Sequence, residues 1–183
     1  MTPEDPIVIV TAAPGWAGEF RELAHPLRRV LGEVAFRIDH VGSTSVPGLD
    51  AKPVIDIQVS VASLEPLEAY VGPLGRLGYA FQPQNPDLTK RAFRWPEGQR
   101  RTHLYVRRAG SFDEQLNLLF RDFLRTHPEA VREYARTKWE LAARFRHDRE
   151  GYVAAKEPAV WSLLRQAHAW AQGTGWYPGP SDA

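Results

Sequence analysis

The sequence predicts an α+β fold, a mixed sheet of about five strands flanked by helices from both ends of the chain. Three observations predict it. Val54, Ile55, Ile57, Val59 and Val61 form a β-branched run that suits a largely buried strand. Residues 90–95 and 101–107 alternate polar and apolar side chains with period two. Both ends of the chain carry apolar stripes at steps of three and four, the period of an amphipathic helix.

Each element has its own local reason. Residues 7–10 are a short extended apolar stretch. Residues 14–31 read as a helix with Trp16, Phe20, Leu23, Leu27 and Val30 on one stripe and Gly32 as its stop. Residues 34–41 read as a strand in which Phe36 and Ile38 alternate with Arg37 and Asp39. Ser63 caps a helix carried by Leu64, Leu67, Tyr70, Val71 and Leu74 and closed by Gly75 and Gly78. Residues 79–81 open a new strand, and the proline- and amide-rich stretch 82–89 is a surface connection.

The C-terminal third is helical. Residues 113–125 place Leu116, Leu119, Phe120, Phe123 and Leu124 inward, and the Asp113-Glu114 pair suits the positive end of the helix dipole. Thr126 with Glu129 resembles a capping box, with Pro128 in the first turn of a helix that buries Val131, Tyr134, Leu141 and Phe145. Asp148 caps a short segment, 149–156, and Pro158 is expected to break the helix, so that 158–171 forms a separate last helix. Residues 1–172 are read as a single domain and the Gly/Pro-rich residues 173–183 as a flexible C-terminal tail, from which Trp176 and Tyr177 can pack back.

Composition narrows the function. The 183 residues are 25% charged and 43% hydrophobic, ordinary for one globular domain. A net charge of +1 argues against general nucleic-acid binding. The chain has no cysteine, which excludes disulfides, thiolate metal sites and a Cys nucleophile and favours a cytoplasmic home. It has neither a signal-peptide pattern nor an apolar run long enough to span a bilayer, so no membrane partner is expected. Exposed aromatics such as Trp95 leave room for a homodimer.

The chemistry concentrates between the first two long strands. Gly42 permits backbone angles closed to other residues and a close approach to a ligand. The hydroxyls of Ser43, Thr44 and Ser45, with the loop amides, form an anion cradle. Lys52 adds a point charge at the loop exit. Asp56 sits within an apolar strand, where a carboxylate needs a cation or a metal. Any one of these features is ordinary in a surface loop; together they point to a phosphate and metal site. Lys138 falls on the apolar stripe of its helix, where it either snorkels past the core or faces an anion. Lys156 lies at the expected helix junction.

The run HVGSTSVPGL followed by KPVIDI resembles the signature of the GrpB family, which is assigned to the nucleotidyltransferase superfamily of polymerase β type. The superfamily pattern is Gly-Ser, a spacer, then Asp-apolar-Asp/Glu-apolar. Gly42-Ser43 and Asp56-Ile57-Gln58-Val59 follow it except that Gln58 stands where a second acid is expected. The resemblance runs from Trp16 to about Leu164 and includes Tyr152-x-x-Ala155-Lys156. It implies a nucleotidyltransferase-like fold and singles out His103 on a later strand that lacks the superfamily's third acid. Some members are fused to a CoA-biosynthetic kinase, which implies nucleotide or cofactor contact.

Two functions follow as expectations. One is nucleotidyl transfer from a nucleoside triphosphate to a small acceptor. Asp56 and Lys52 would be catalytic, and Gly42, Ser43, Thr44, Ser45, Arg91, Lys138 and Lys156 would hold phosphates. Asp56, His103 and His40 would ligate a divalent ion. Magnesium or manganese is expected there, and the imidazoles also suit a transition metal. The other is a binding module for a nucleotide or other phosphorylated small molecule, in which Gln58 marks weakened catalysis. A metal-dependent phosphoester hydrolase ranks third, since no residue specifies a nucleophilic water.

Overall fold

The computed structural model describes residues 6–183; the first five residues of the expected domain lie outside them. Among the described residues one five-stranded sheet forms from β1 (Arg37–Val41), β2 (Ile55–Val61), β3 (Ala80–Phe81), β4 (Lys90–Arg94) and β5 (Thr102–Arg108), in the order β1-β2-β5-β4-β3. β2 and β5 pair in parallel and the remaining pairs are antiparallel, so the sheet is mixed as expected. The helices are α1 (Trp16–Leu31), α2 (Glu68–Arg76), α3 (Phe112–Thr126), α4 (Pro128–Arg144) and α5 (Arg149–Thr174). No described helix is long and apolar enough to cross a membrane.

Strand parity gives the sheet two different faces. Ile38, Ile55, Ile57, Val59, Phe93, Leu104 and Val106 pack with Trp16, Phe20 and Leu27 of α1 and Tyr70 and Leu74 of α2. The opposite face of β1 and β2 is polar, and Asp39, Gln58 and Ser60 on it are fully buried. α3 covers it with matching groups. Ser60 Oγ donates to Glu114 Oε1 (2.7 Å), and Asn117 Nδ2 donates to Gln58 Oε1 (2.8 Å). Asp39 receives both Arg37 Nε (2.9 Å) and Arg37 Nη2 (2.8 Å), with Arg121 Nη1 at 3.4 Å. A second core joins α3, α4 and α5 through Phe123, Leu124, Tyr134, Leu163 and Ala167, and Val46 and Leu49 anchor the β1–β2 loop in it.

Three expected boundaries move. α2 begins at Glu68, after a turn in which Ser63 Oγ accepts from Glu65 N (3.1 Å). Thr126 opens no helix: its Oγ1 donates back to Phe123 O (3.0 Å) and finishes α3, leaving His127 at the start of α4. Asp148 does cap α5, accepting from Gly151 N (2.8 Å), but the helix runs unbroken through Pro158 to Thr174. A proline removes a single helical bond. Tyr152 before it and Leu163, Leu164 and Ala167 after it are all buried, and that packing holds the helix together.

Of residues 173–183, expected as a flexible tail, 173 and 174 finish α5 and 181–183 bond along the outer edge of β1. Ile38 N donates to Ser181 Oγ (2.8 Å), His40 N to Asp182 Oδ2 (2.9 Å), and Ala183 N to Ile38 O (3.1 Å). An uncovered edge strand leaves a row of backbone groups unpaired, and this segment supplies their partners. Asp182 also meets Arg121 Nη1 at 2.7 Å. Arg121 is thus a buried cation shared by Asp39, Asp122 and Asp182. Arg121→Ala would leave Asp39 and Asp182 short of their shared cation. It is expected to lower unfolding stability by about 3 kcal/mol in urea titration, whereas exposed Phe36→Ala stays within about 0.5 kcal/mol of wild type.

Candidate functional site

α3 does not reach the start of β2 and β5. There the polar face opens into a cavity of about 600 Å³, walled by the β1–β2 loop, the starts of β2 and β5, and α4 and α5. The parallel register sets Asp56 beside His103 on this face, and His103 Nδ1 lies 2.7 Å from Asp56 Oδ1. A carboxylate is acceptor-only when ionised, so Nδ1–H is the donor. His103 Nε2 then faces Arg101 Nη2 at 3.4 Å as an acceptor. Gly42 (φ 70°) ends β1 against this pair, and a Cβ there would overlap Asp56 Oδ2. The glycine is required twice over, by its backbone angle and by the space it leaves.

Cations face this single carboxylate. Lys52, Arg101, Lys138, Arg149 and Lys156 all line the cavity, and Asp56 is the one acidic residue among its described lining. Lys52 Nζ and Lys156 Nζ lie 4.5 Å and 5.5 Å from the centre of the Tyr152 ring, a cation–π arrangement. Lys138 is 2% exposed, sits 4.8 Å from the Tyr134 ring centre and donates to Asp50 O. Burial, then repulsion from Lys156, pushes the Lys138 ammonium down to about 7, against the pull of Asp50. Burial, then Arg149, Lys156 and Arg101, brings Lys52 down to about 8. Lys156 is also lowered, chiefly by burial. Several cations held together out of water are relieved by an incoming anion.

The expected site residues divide clearly. Ser43, Thr44, Lys52, Asp56, His103, Lys138 and Lys156 line the cavity, and Gly42 stands behind Asp56. Ser45 is buried and its Oγ donates to Gly42 O (2.6 Å), so it closes the turn. Thr44 Oγ1 donates to Val54 O (3.1 Å) and pins the loop to the approach of β2.

His40 and Arg91 are corrections. His40 pairs with Ile57 and shares the parity of Ile38, so its ring lies on the α1 side of the sheet. It stacks on Phe20 at 4.8 Å, its Nε2 meets Thr44 Oγ1 at 3.0 Å, and burial with Arg125 nearby pushes its pKa down to about 4. It supports the loop from behind and cannot join Asp56 around an ion. Arg91 shares the parity of Phe93 and pairs with Glu65 Oε1 (3.0 Å), away from the cavity.

Arg101, Arg149, Tyr152 and Trp95 were not foreseen as site residues. Arg101 was legible, since its strand parity matches that of His103. Trp95 is no exposed dimer handle. It is half-buried beside the core, with the Arg101 guanidinium 5.2 Å from its ring centre.

The donor set bears on metal. Among the described residues no three His, Cys, Asp or Glu side chains converge as a metal site. Gln58 is turned into the α3 network, and Asp56 Oδ1 is engaged by His103. Such a set does not fit zinc, which needs three or four protein ligands. One carboxylate would suit magnesium or manganese only if phosphates of a bound ligand supplied further oxygen ligands.

Relatives share this architecture. The family model described as GrpB protein matches residues 6–166. A UPF0157 protein of Pseudomonas aeruginosa is 41% identical over 170 residues, covering 91% of this chain and 69% of that protein. A dephospho-CoA kinase of Mycolicibacterium paratuberculosis is 33% identical, covering 94% of this chain and 49% of that protein, so this chain spans about half of it. The crystal structure of the conserved protein GrpB from Enterococcus faecalis superposes with a TM-score of 0.76 at 28% identity, covering 89% of this chain and 99% of that one. The Cid1 poly(U) polymerase bound to MgATP superposes with a TM-score of 0.50 at 13% identity, covering 72% of this chain and 45% of that one, a likeness of fold. By sequence and by structure, this chain belongs to the GrpB family and carries its nucleotidyltransferase-like fold.

Proposed function

We propose that the chain binds a nucleotide or other phosphorylated small molecule in the cavity beside Asp56. One observation carries the reading: Lys52, Lys138, Arg149 and Lys156 line a cavity in which Asp56 is the one acid among the described lining. Phosphate groups supply the missing negative charge, and the Ser43 and Thr44 turn lies where loop hydroxyls and amides can meet them. The volume suits a small molecule. The likeness to half of a dephospho-CoA kinase makes dephospho-CoA a ligand to test beside ATP.

A second reading, nucleotidyl transfer to a small acceptor, rests on the place of Asp56 behind the Gly42-Ser43 turn. Magnesium or manganese held by Asp56 and the ligand's phosphates would neutralise charge on the phosphoryl oxygens. The chain's own part would be to orient the phosphates with Lys52, Lys138 and Lys156 and to stabilise the charge that builds there. Binding is the better supported reading, because Gln58 and His103 stand where further acids would hold metals.

Calorimetric titration with ATP, dephospho-CoA and pyrophosphate, each with and without magnesium or manganese, separates the two. Lys52→Ala and Lys138→Met are each expected to weaken binding roughly 10- to 100-fold, the loss of one charge-assisted bond. Metal-dependent binding abolished by Asp56→Asn would favour transfer. If none of the three binds, the reading is wrong.

The pH dependence has a definite sign. An anion prefers protonated lysines, and Lys138 and Lys52 lose their protons near pH 7 and 8. Affinity should therefore fall between pH 6.5 and 9, and titrations at pH 8 in buffers of different ionisation enthalpy should report proton uptake. Affinity that is flat across this range would contradict the role given to these lysines.

Gly42→Ala is expected to displace the Asp56 carboxylate, seen as loss of the metal-dependent part of binding with the chain still folded by circular dichroism.

A further inference from the structure

A second cavity, of about 310 Å³, continues from the first across β4 and β5. Trp95, Arg101, His103 and Arg149 line both, so these residues form a shared wall. Gln82, Arg94 and Tyr105 belong to the second cavity alone. Strand parity explains the continuity. Asp56 on β2, His103 and Tyr105 on β5, and Ala92 opposite Tyr105 on β4 all lie on the open face of the sheet. Arg94, two residues beyond Ala92, has the same strand parity and lines the second cavity.

The chemistry of this second cavity differs from that of the first. It has aromatic walls in Trp95 and Tyr105, and the Tyr105 ring carries Lys90 Nζ at 4.6 Å. The charged side chains of its described lining are the guanidinium groups of Arg94, Arg101 and Arg149, with no acid among the described lining. Neither Arg94 nor Arg149 makes an ion pair among the described residues. Guanidinium pairs with carboxylate or phosphate in a bidentate way and stacks on rings. Flat aromatic walls, an amide from Gln82 and these cations select a small ring-bearing molecule with an anionic group.

We propose that the cavity over β4 and β5 is a second ligand site, for a small ring-bearing anion that meets the phosphorylated ligand at the Asp56–His103 pair. The role of this occupant as a second reactant rests on the reading of the first cavity given above. The His103 ring carries the argument. Its Nδ1 edge bonds Asp56 in the first cavity, and its ring centre lies 6.1 Å from that of Tyr105 in the second. Arg101, 3.4 Å from His103 and stacked on Trp95, stands between the two spaces. The alternative is one long ligand filling both cavities, and competition distinguishes the two.

The probe is phenyl phosphate, titrated into the full chain saturated with pyrophosphate, and followed by the Trp95 indole resonance and by calorimetry. Millimolar or tighter binding under pyrophosphate is expected. It should weaken about tenfold in Arg94→Gln. Absence of binding, competition by pyrophosphate, or insensitivity to Arg94→Gln with Trp95 unperturbed would each overturn the second site. Gln82→Ala serves as the second variant should Arg94→Gln fail to fold. Pyrophosphate binding to the wild type is measured first. Its failure would remove the first reading and with it the second-reactant role, while phenyl phosphate titrated alone would still decide whether the second cavity takes a ring-bearing anion.

Discussion

A sheet with one polar face must have that face satisfied, and this constraint arranges the whole molecule. Asp39 on the edge strand β1, and Gln58 and Ser60 on β2, are removed from water. Each would destabilise the fold unless it were bonded. α3 meets them with Arg121, Asn117 and Glu114 at fitting positions. The helix therefore acts as a polar lid over the sheet, while α1 and α2 form the ordinary apolar packing on the far side. Where the lid stops, Asp56 and His103 satisfy each other and remain reachable. The site is the uncovered end of a face that is otherwise closed.

The same network ties the loop to the rest of the chain. Arg125 Nε donates to Ser45 O (3.0 Å), and His40 braces Thr44 from the α1 side. Asp182 holds both His40 N and Arg121. The edge segment at 181–183, the buried ion cluster and the Gly-Ser turn are thus one connected set of bonds, and the turn is held by elements from both ends of the described chain. A turn fixed in this way would present Ser43 without being ordered anew on binding, which would lower the entropy lost to a ligand.

Much of this was legible in the sequence. The strands, the Gly42-to-Asp56 segment and the stripe position of Lys138 follow from period-two alternation, punctuation residues and helical spacing. Once the strand register is fixed, the same alternation removes two of the expected site residues. His40 shares the parity of Ile38, and Arg91 that of Phe93, so neither can face Asp56. What sequence could not supply was which elements meet. The union of α5 with the start of β5, which brings Tyr152, Arg149 and Lys156 to His103, depends on the path of a helix that Pro158 was expected to break. Local propensity put a boundary there, and burial on both sides of the proline erased it. The 176–183 segment reads as loop by composition, yet the unpaired edge of β1 orders it.

The charge arrangement separates binding from chemistry more sharply than the fold does. In a site built to hold metal ions by itself, acids outnumber cations; in the described lining the proportion is reversed. Lys138 and Lys52 lose affinity for their protons because burial and repulsion from neighbouring cations outweigh the pull of Asp50 and Asp56. On the proposed reading, a ligand rich in phosphate would restore that balance and supply the oxygen ligands that Asp56 alone cannot provide. Metal and phosphate would then enter as one unit, and the protein's contribution is the fixed set of charges they fit. On that view Gln58 is no damaged metal ligand. Bonded to Asn117 and to Glu114 O, it belongs to the closed part of the polar face, and only Asp56, one alternation nearer the strand's start, is left to the open part.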